Sequence, residues 1–142
     1  VVAWGDPHWG GDCSGEQDHL KDVESIAASD AAFAALRGDG TVVTWGHQNR
    51  GGDCRYFKSE LYDVRQIVGS SKAFAALRGD GKVICWGRLE SEFDAAIHCR
   101  DVNEELRDVQ QLAATNRAFG AVCADGSVSP AVQQVHFCTC SV

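Results

Sequence analysis

The chain has 142 residues, of which 44% are hydrophobic and 23% are charged, and its formal net charge is −7. Such values are ordinary for a globular domain with a hydrophobic core of its own. The acidic balance argues against a nucleic-acid-binding surface, which needs clustered Lys and Arg, and against attraction to anionic lipid. The apolar runs are too short to cross a bilayer. We therefore expect neither a nucleic-acid partner nor a membrane partner.

The sequence repeats itself with a period of about 41 residues, and this repetition decides the fold class. A Trp-Gly pair marks each copy, at Trp4-Gly5, Trp45-Gly46 and Trp86-Gly87. The run AFAALRGDG occurs unchanged at 32–40 and 73–81. A third, looser copy follows after an acidic connector. We predict three tandem repeats within residues 1–128, at about 1–41, 42–82 and 83–127, and a divergent tail or cap at 129–142.

Within a repeat, three strands are predicted in chain order. VESIAAS at 23–29 is rich enough in β-branched residues to form the first strand, and AFAAL at 32–36 forms the second. The second strand is apolar on both faces, which is typical of a strand buried on both sides. An Asp-Gly pair then separates it from a third apolar run. Asp-Gly between two strands predicts a type I′ hairpin, because both residues tolerate the positive φ that this turn requires.

The Asp-Gly pairs are therefore interpreted as structural turn residues and not as catalytic acids. They are Asp39-Gly40, Asp80-Gly81 and Asp125-Gly126. The tryptophans of the Trp-Gly pairs, Trp4, Trp45 and Trp86, are likewise interpreted as packing residues of the repeat.

A helix is the alternative interpretation of the same segments. Leu20, Val23 and Ile26 are spaced three apart, and Ser29-Asp30 is a suitable cap for an Ala-rich helix. The Asp-Gly hairpins, the length of the repeat and the shortness of Ala32–Leu36 favour strands. The predicted fold class is all-β, a partial β-propeller of about three blades, because each blade of a propeller is packed between two others.

The order of these elements resembles the repeat of the regulator-of-chromosome-condensation family. The likeness is carried by VESIAASDAAFAALRGDGTVVTWGHQNRGG at 23–52, whose WGHQNRGG resembles the family's Trp-Gly-x-Asn loop and Gly-rich turn. The family's Gly-x-x-His before the apolar strand is replaced by Ser29 with Ala32 and by Ser70 with Ala73. Its Gly-Gln-Leu-Gly run is here Gly-Gly-Asp-Cys. The chain therefore resembles a divergent branch of this propeller and β-lactamase-inhibitor superfamily.

The resemblance implies a ring of seven blades, which is longer than this chain. The chain also contains no methionine, and both observations favour a fragment of a larger propeller. An arc of three blades exposes strand edges and an apolar blade face. We therefore also expect marginal stability, or self-association through the exposed blade edges.

The seven cysteines are an odd number without the compact even framework of a secreted disulfide scaffold. Cys13 and Cys54 occupy the same place in successive repeats, which favours buried copies of one small residue. This usage predicts an intracellular protein, cytoplasmic or nuclear.

Cofactor chemistry has little support in the sequence. Asp12 and Asp53 follow Gly-Gly, but neither loop holds the several carboxylates that Ca²⁺ needs. His98-Cys99 and the segment 136–140 combine metal-ligand residue types, but their spacing matches a zinc site poorly. GGDC is too short for a phosphate loop and lacks its lysine, and no motif supports a Cys–His nucleophile. We predict no cofactor, no metal and no enzymatic activity.

The loops that differ between repeats are the candidates for recognition, because loops on a rigid scaffold commonly carry binding residues. The candidate contact residues are His8, Trp9, His47, Arg50, Tyr56, Phe57, Arg88 and Phe93. The predicted function is a non-catalytic protein–protein interaction module with an unknown protein partner. The resemblance implies two alternatives: the substrate-recognition propeller of a ubiquitin ligase, and an exchange-factor-like regulator of a small GTPase.

Overall fold

A computed structural model of the chain describes residues 1–88, 106 and 108–124. Within them, eight strands form three antiparallel sheets. The first sheet contains β1 (Val23–Ala28), β2 (Ala32–Arg37) and β3 (Val42–Gly46); the second contains β4 (Val64–Gly69), β5 (Ala73–Arg78) and β6 (Val83–Gly87); and the third contains β7 (Val109–Ala114) and β8 (Phe119–Cys123). None of the helices in these ranges is both long enough and apolar enough to span a membrane.

The prediction of an all-β fold is confirmed, and the helical alternative is wrong. Val23–Ala28 pairs in register with β2, and β2 pairs on its other edge with β3. The second sheet repeats both pairings. The Ala-rich segment is extended because its backbone N–H and C=O groups form hydrogen bonds with a strand on each side. A helix of the same residues would not make these inter-strand bonds.

The core lies between the sheets. Ala34, Ala35, Ala75 and Ala76 of the two middle strands are completely buried. One apolar cluster joins the first and second sheets, a second cluster joins the second and third, and another covers the free face of the first. The small alanine side chains allow neighbouring sheets to approach closely, as expected for strands buried on both faces.

Hydrogen bonds cross between successive sheets at several levels. The Val64 N–H donates to the Gly40 carbonyl at 3.0 Å, next to the turn of the first hairpin. The Asp30 N–H donates to the Ser71 carbonyl at 3.0 Å, at the opposite end of the strands. The Gln66 side chain bridges to the next sheet, accepting from the Leu112 N–H at 2.7 Å. Each sheet is thus joined to the next by packing and by hydrogen bonds.

The hairpins predicted at Asp39-Gly40 and Asp80-Gly81 form where expected, but their predicted type I′ turn is wrong. Gly40 has a φ of +77° and Gly81 a φ of +80°, whereas neither Asp39 nor Asp80 is left-handed. The Gly40 N–H donates to the Arg37 carbonyl at 2.9 Å, and the Arg37 N–H donates to the Thr41 carbonyl at 3.0 Å. This is a three-residue loop that ends in a glycine bulge. The aspartate acts by hydrogen bonding, since Asp39 accepts from the Thr41 N–H at 3.0 Å.

An aspartate immediately before the first strand of each repeat adopts the left-handed conformation. The φ angles are 54° at Asp22, 47° at Asp63 and 51° at Asp108. The carbonyl of Asp63 accepts from the Gly79 N–H at 2.8 Å, which closes the hairpin end against the loop. These residues were not predicted, although an Asp-Val pair recurs at all three places and aspartate is one of the residue types that tolerate positive φ.

Candidate functional site

Two loops with the same backbone and different side chains follow the Trp-Gly pairs. Each contains a 3₁₀ turn, Pro7–Trp9 in the first and Gln48–Arg50 in the second. The Asp6 carboxylate accepts from the His8 N–H at 2.9 Å, and the His47 ring accepts from the Asn49 N–H at 3.2 Å. A left-handed glycine ends each turn. The backbone is therefore constant, and the exposed side chains are free to differ.

A second 3₁₀ turn follows in each loop, at Ser14–Glu16 and Arg55–Phe57. The Asp12 carboxylate accepts from the Ser14 N–H at 2.8 Å, and the Asp53 carboxylate accepts from the Arg55 N–H at 3.0 Å. These aspartates therefore have a structural role at the start of the turn. Within the ranges that the structure describes, no three metal-ligating side chains come together. The candidate cluster of His98-Cys99 and 136–140 lies outside those ranges.

Tryptophan side chains attach the loops to the sheets. The Trp45 indole N–H donates to the Gly10 carbonyl at 3.1 Å, and the Trp86 indole N–H donates to the Gly51 carbonyl at 3.0 Å. Each indole also stacks on a phenylalanine, with ring centroids 5.3 and 5.4 Å apart. Trp4 differs from its two counterparts, because it is 85% exposed. The packing role applies to Trp45 and Trp86 in this structure and not to Trp4.

The candidate contact residues differ in their exposure. His8, His47 and Arg88 are exposed, as are Trp9 at 55% and Tyr56 at 88%. Arg50 is half-buried beside Asp30, with which it forms an ion pair of 3.3 Å. Phe57 packs against the apolar cluster between the first two sheets and is therefore not part of the exposed candidate surface. Phe93, Asp125 and Gly126 lie outside the described residues.

A groove that no sequence motif indicates lies beside β3. It has a volume of about 680 Å³ and lies between the two loops. Its floor is formed by residues 41–46, and its walls include Glu16 from one loop and Lys58 from the other. The groove arises where two loops that are distant in sequence meet one strand edge. No local sequence signal identifies such a meeting point.

Two cysteines also line the groove, but neither has the surroundings of a reactive thiol. Cys13 and Cys54 are 4% and 5% exposed and carry free thiols. Burial raises the pKa of the Cys54 thiol, which disfavours the nucleophilic thiolate. Both side chains belong to apolar clusters. They serve the packing of the loops.

The Asp53 carboxylate makes stability depend on pH. The Arg55 side chain, and then the Arg55 backbone N–H, lower the pKa of Asp53 below its ordinary 3.8. The stabilisation is therefore present above the ordinary value and is lost as the pH falls through the lower folded value. We expect the melting temperature to fall below about pH 4, and Asp53→Asn to reduce this fall while lowering the melting temperature at neutral pH.

Thermal melts followed by circular dichroism from pH 7 to pH 2.5 measure this effect. The matched control is Asp18→Asn, which removes an exposed carboxylate that accepts no hydrogen bond within the described part of the chain. If Asp18→Asn and Asp53→Asn give the same pH profile, the Arg55 interaction does not stabilise the fold.

Comparison with known proteins gives the fold. No protein-family model and no curated protein matches the chain. The structure of Kap60 bound to yeast RCC1 (Prp20) contains a similar chain, with a TM-score of 0.50, 19% identity and 73% of this chain covered. The structure of Prp20p from Saccharomyces cerevisiae, described with its binding properties to Gsp1p and histones, gives 0.50, 17% and 73%. Human WBSCR16 gives 0.49, 20% and 70%.

The chain spans 28%, 29% and 31% of the lengths of these three chains, in the same order. At such identities the likeness concerns the fold. The two yeast structures and the repeated antiparallel sheets agree with the predicted partial propeller, and the extent of the tandem repeats and of the tail remains a prediction. The described residues thus have the fold of an RCC1-like β-propeller repeat.

Proposed function

We propose that this chain is a non-catalytic protein-interaction module and forms part of a larger repeat propeller. The observation that carries the proposal is the pair of loops with one backbone and different exposed side chains. Pro7–Trp9 and Gln48–Arg50 share their capping pattern, but one presents Trp9 where the other holds Arg50. Scaffold and recognition are thereby separated, as is usual for binding loops on a rigid fold.

The chemistry of the exposed residues suits a protein partner. Trp9 and Tyr56 are large, largely exposed and attached to short turns that bury none of their own residues. Aromatic side chains are enriched at protein interfaces, where they provide apolar area and a polar group with few rotatable bonds. His8 and His47 are exposed on the same two loops. The proposed contact surface comprises His8, Trp9, His47, Arg50, Tyr56 and Arg88.

The similar structures support a protein partner in general terms. One is described with binding properties to Gsp1p and histones, and the other is bound to Kap60. For this chain, the substrate-recognition propeller of a ubiquitin ligase and an exchange-factor-like regulator of a small GTPase are the two specific roles under proposal. The identity of the captured partner separates them, because a ligase substrate and a GTPase are different classes of protein.

Affinity capture from a cell extract, followed by quantitative mass spectrometry, tests the proposal. Truncation of an interface hot spot costs about 2 kcal/mol or more, so Trp9→Ala and Tyr56→Ala should each reduce capture of the specific partner more than tenfold. Val2→Ala, at an 80% exposed position outside the two loops, should leave capture unchanged. Equal capture by all variants would exclude the loop surface as the binding site.

A further inference from the structure

The outer edge of β3 is open. Within the described residues, β3 is the last strand of the first sheet and pairs only with β2, on its inner side. Thr41 and His47 bond inward, the first through its carbonyl and the second through its N–H. Because backbone groups alternate along an antiparallel strand, the groups of Val42 and Thr44 point outward. None of these outward backbone groups has a hydrogen-bond partner in the part of the chain described.

The open edge forms the floor of the groove of about 680 Å³. The two walls lie on opposite faces of the first sheet. The loop of Cys13 packs in the cluster that contains Val43 and Trp45, whereas the loop of Cys54 packs in the cluster that contains Val42. Successive residues of a strand point to opposite faces, so these clusters are on opposite sides. An edge strand with a wall on each side is a slot for one more strand.

We propose that this slot binds an extended segment of a partner protein as a fourth strand of the first sheet. The proposal rests on the proposed interaction function and names the element of the partner that is bound. An extended peptide backbone can form hydrogen bonds with outward donors and acceptors that are spaced two residues apart. The sheet edges of other proteins bind added strands in this way. The occupant is therefore defined by the backbone of β3 and not by an apolar surface alone.

The charged residues on the two walls indicate which side chains the bound segment should carry. Glu16 lies on one wall and Lys58 on the other, and neither forms an ion pair within the described ranges. Neighbouring residues of an added strand would face opposite walls. The bound segment should therefore carry a basic residue toward Glu16 and an acidic residue toward Lys58, at adjacent positions. This complementarity selects a partner segment of mixed charge.

The first experiment uses the unmodified full chain as bait and a phage-displayed library of random nine-residue peptides as probe. The selected peptide is synthesised together with a set in which each backbone amide in turn is N-methylated. We expect methylation at every second residue to weaken binding more than tenfold and methylation at the intervening residues to change it less than threefold. Failure to select any peptide, or sensitivity without alternation, overturns the proposal.

Amide hydrogen exchange locates the peptide on the chain. Binding should slow the exchange of the Val42 and Thr44 amides more than tenfold. Protection confined to the residues around Trp9 or Tyr56 would overturn the added strand. Protection of the β3 amides without peptide, rising with protein concentration, would show that a second copy of this chain occupies the edge, and would also overturn it.

Two substitutions of Thr44 distinguish the contribution of its backbone N–H to peptide binding from that of its side chain. Thr44→Pro removes an outward N–H that has no partner in the sheet, a place where an edge strand accepts proline. Thr44→Val keeps this N–H but loses the hydroxyl bond to the Gly52 carbonyl, 3.1 Å away. We expect more than tenfold weaker peptide binding for the proline variant and less than threefold for the valine variant. Equal binding by both variants contradicts the proposal.

If Thr44→Pro does not fold, the N-methylated peptides decide alone, because they leave the chain unchanged. The added-strand proposal and the proposed interaction function can also fail independently of each other. If Trp9→Ala abolishes partner capture and no peptide binds at β3, the loop surface remains the proposed binding site. Only the added strand is then rejected.

Discussion

Trp86→Ala is expected to destabilise the fold by about 3–5 kcal/mol, the usual cost of truncating a buried large aromatic residue. The Trp86 side chain is completely buried and stacks on Phe74, which is completely buried as well. Its indole N–H also donates to the Gly51 carbonyl at 3.0 Å, which ties the second loop to the second sheet. Truncation leaves a cavity, removes the stacked pair and leaves this carbonyl without its partner. For a domain of this size, such a loss is a large part of the total stability.

Urea unfolding followed by far-ultraviolet circular dichroism measures the change without relying on tryptophan fluorescence. The matched control is Trp4→Ala, the same substitution at a residue that is 85% exposed, and it should change stability by less than about 0.5 kcal/mol. Trp86→Phe separates ring packing from the lost hydrogen bond and should lie between the two. Similar stabilities for the Trp4 and Trp86 variants would show that the second sheet does not depend on this residue.

Gly69→Ala should destabilise the chain by about 1–3 kcal/mol, the usual cost of adding an atom to a closely packed site. Gly69 lies at the end of β4, against the first sheet. A Cβ atom there would overlap the carbonyl oxygen of Ala28 and lie 2.8 Å from its carbonyl carbon. Both are backbone atoms of a neighbouring strand, so the two sheets must separate to admit the methyl group.

The control for this substitution is Gly15→Ala, since a Cβ atom at Gly15 meets nothing within 4 Å. Alanine there restricts the unfolded chain and should be neutral or stabilising by up to about 1 kcal/mol. The same unfolding measurement gives both values. A Gly69 variant as stable as the Gly15 variant would mean that the first two sheets are not packed as closely as the structure indicates.

The two substitutions probe different levels of one architecture. Trp86 joins a loop to its own sheet, whereas Gly69 permits one sheet to approach the next. Trp86→Ala should therefore disturb the loop that presents Tyr56. Gly69→Ala should disturb the packing of whole repeats against each other. The loops can recognise a partner only while both kinds of contact hold their backbone in place.

Sequence by itself determined the strands and their order. The β-branched segment, the AFAAL run and the Asp-Gly pair are local signals, and they recur with a fixed period. Each predicted strand of the described repeats is therefore present between about the expected residues. The burial of Trp45 and Trp86 also agrees with the packing role that the recurring Trp-Gly pair predicts.

Tertiary structure decided what depends on neighbours distant in the sequence. Trp4 and Trp86 share a motif, yet one is 85% exposed and the other is completely buried, because burial depends on which sheet and loop lie alongside. Phe57 and Tyr56 are adjacent, but only Phe57 packs against the core cluster. The open edge of β3 exists because two loops meet along it without pairing with it. Composition and periodicity describe one segment at a time, whereas packing and unpaired backbone groups are properties of several segments together.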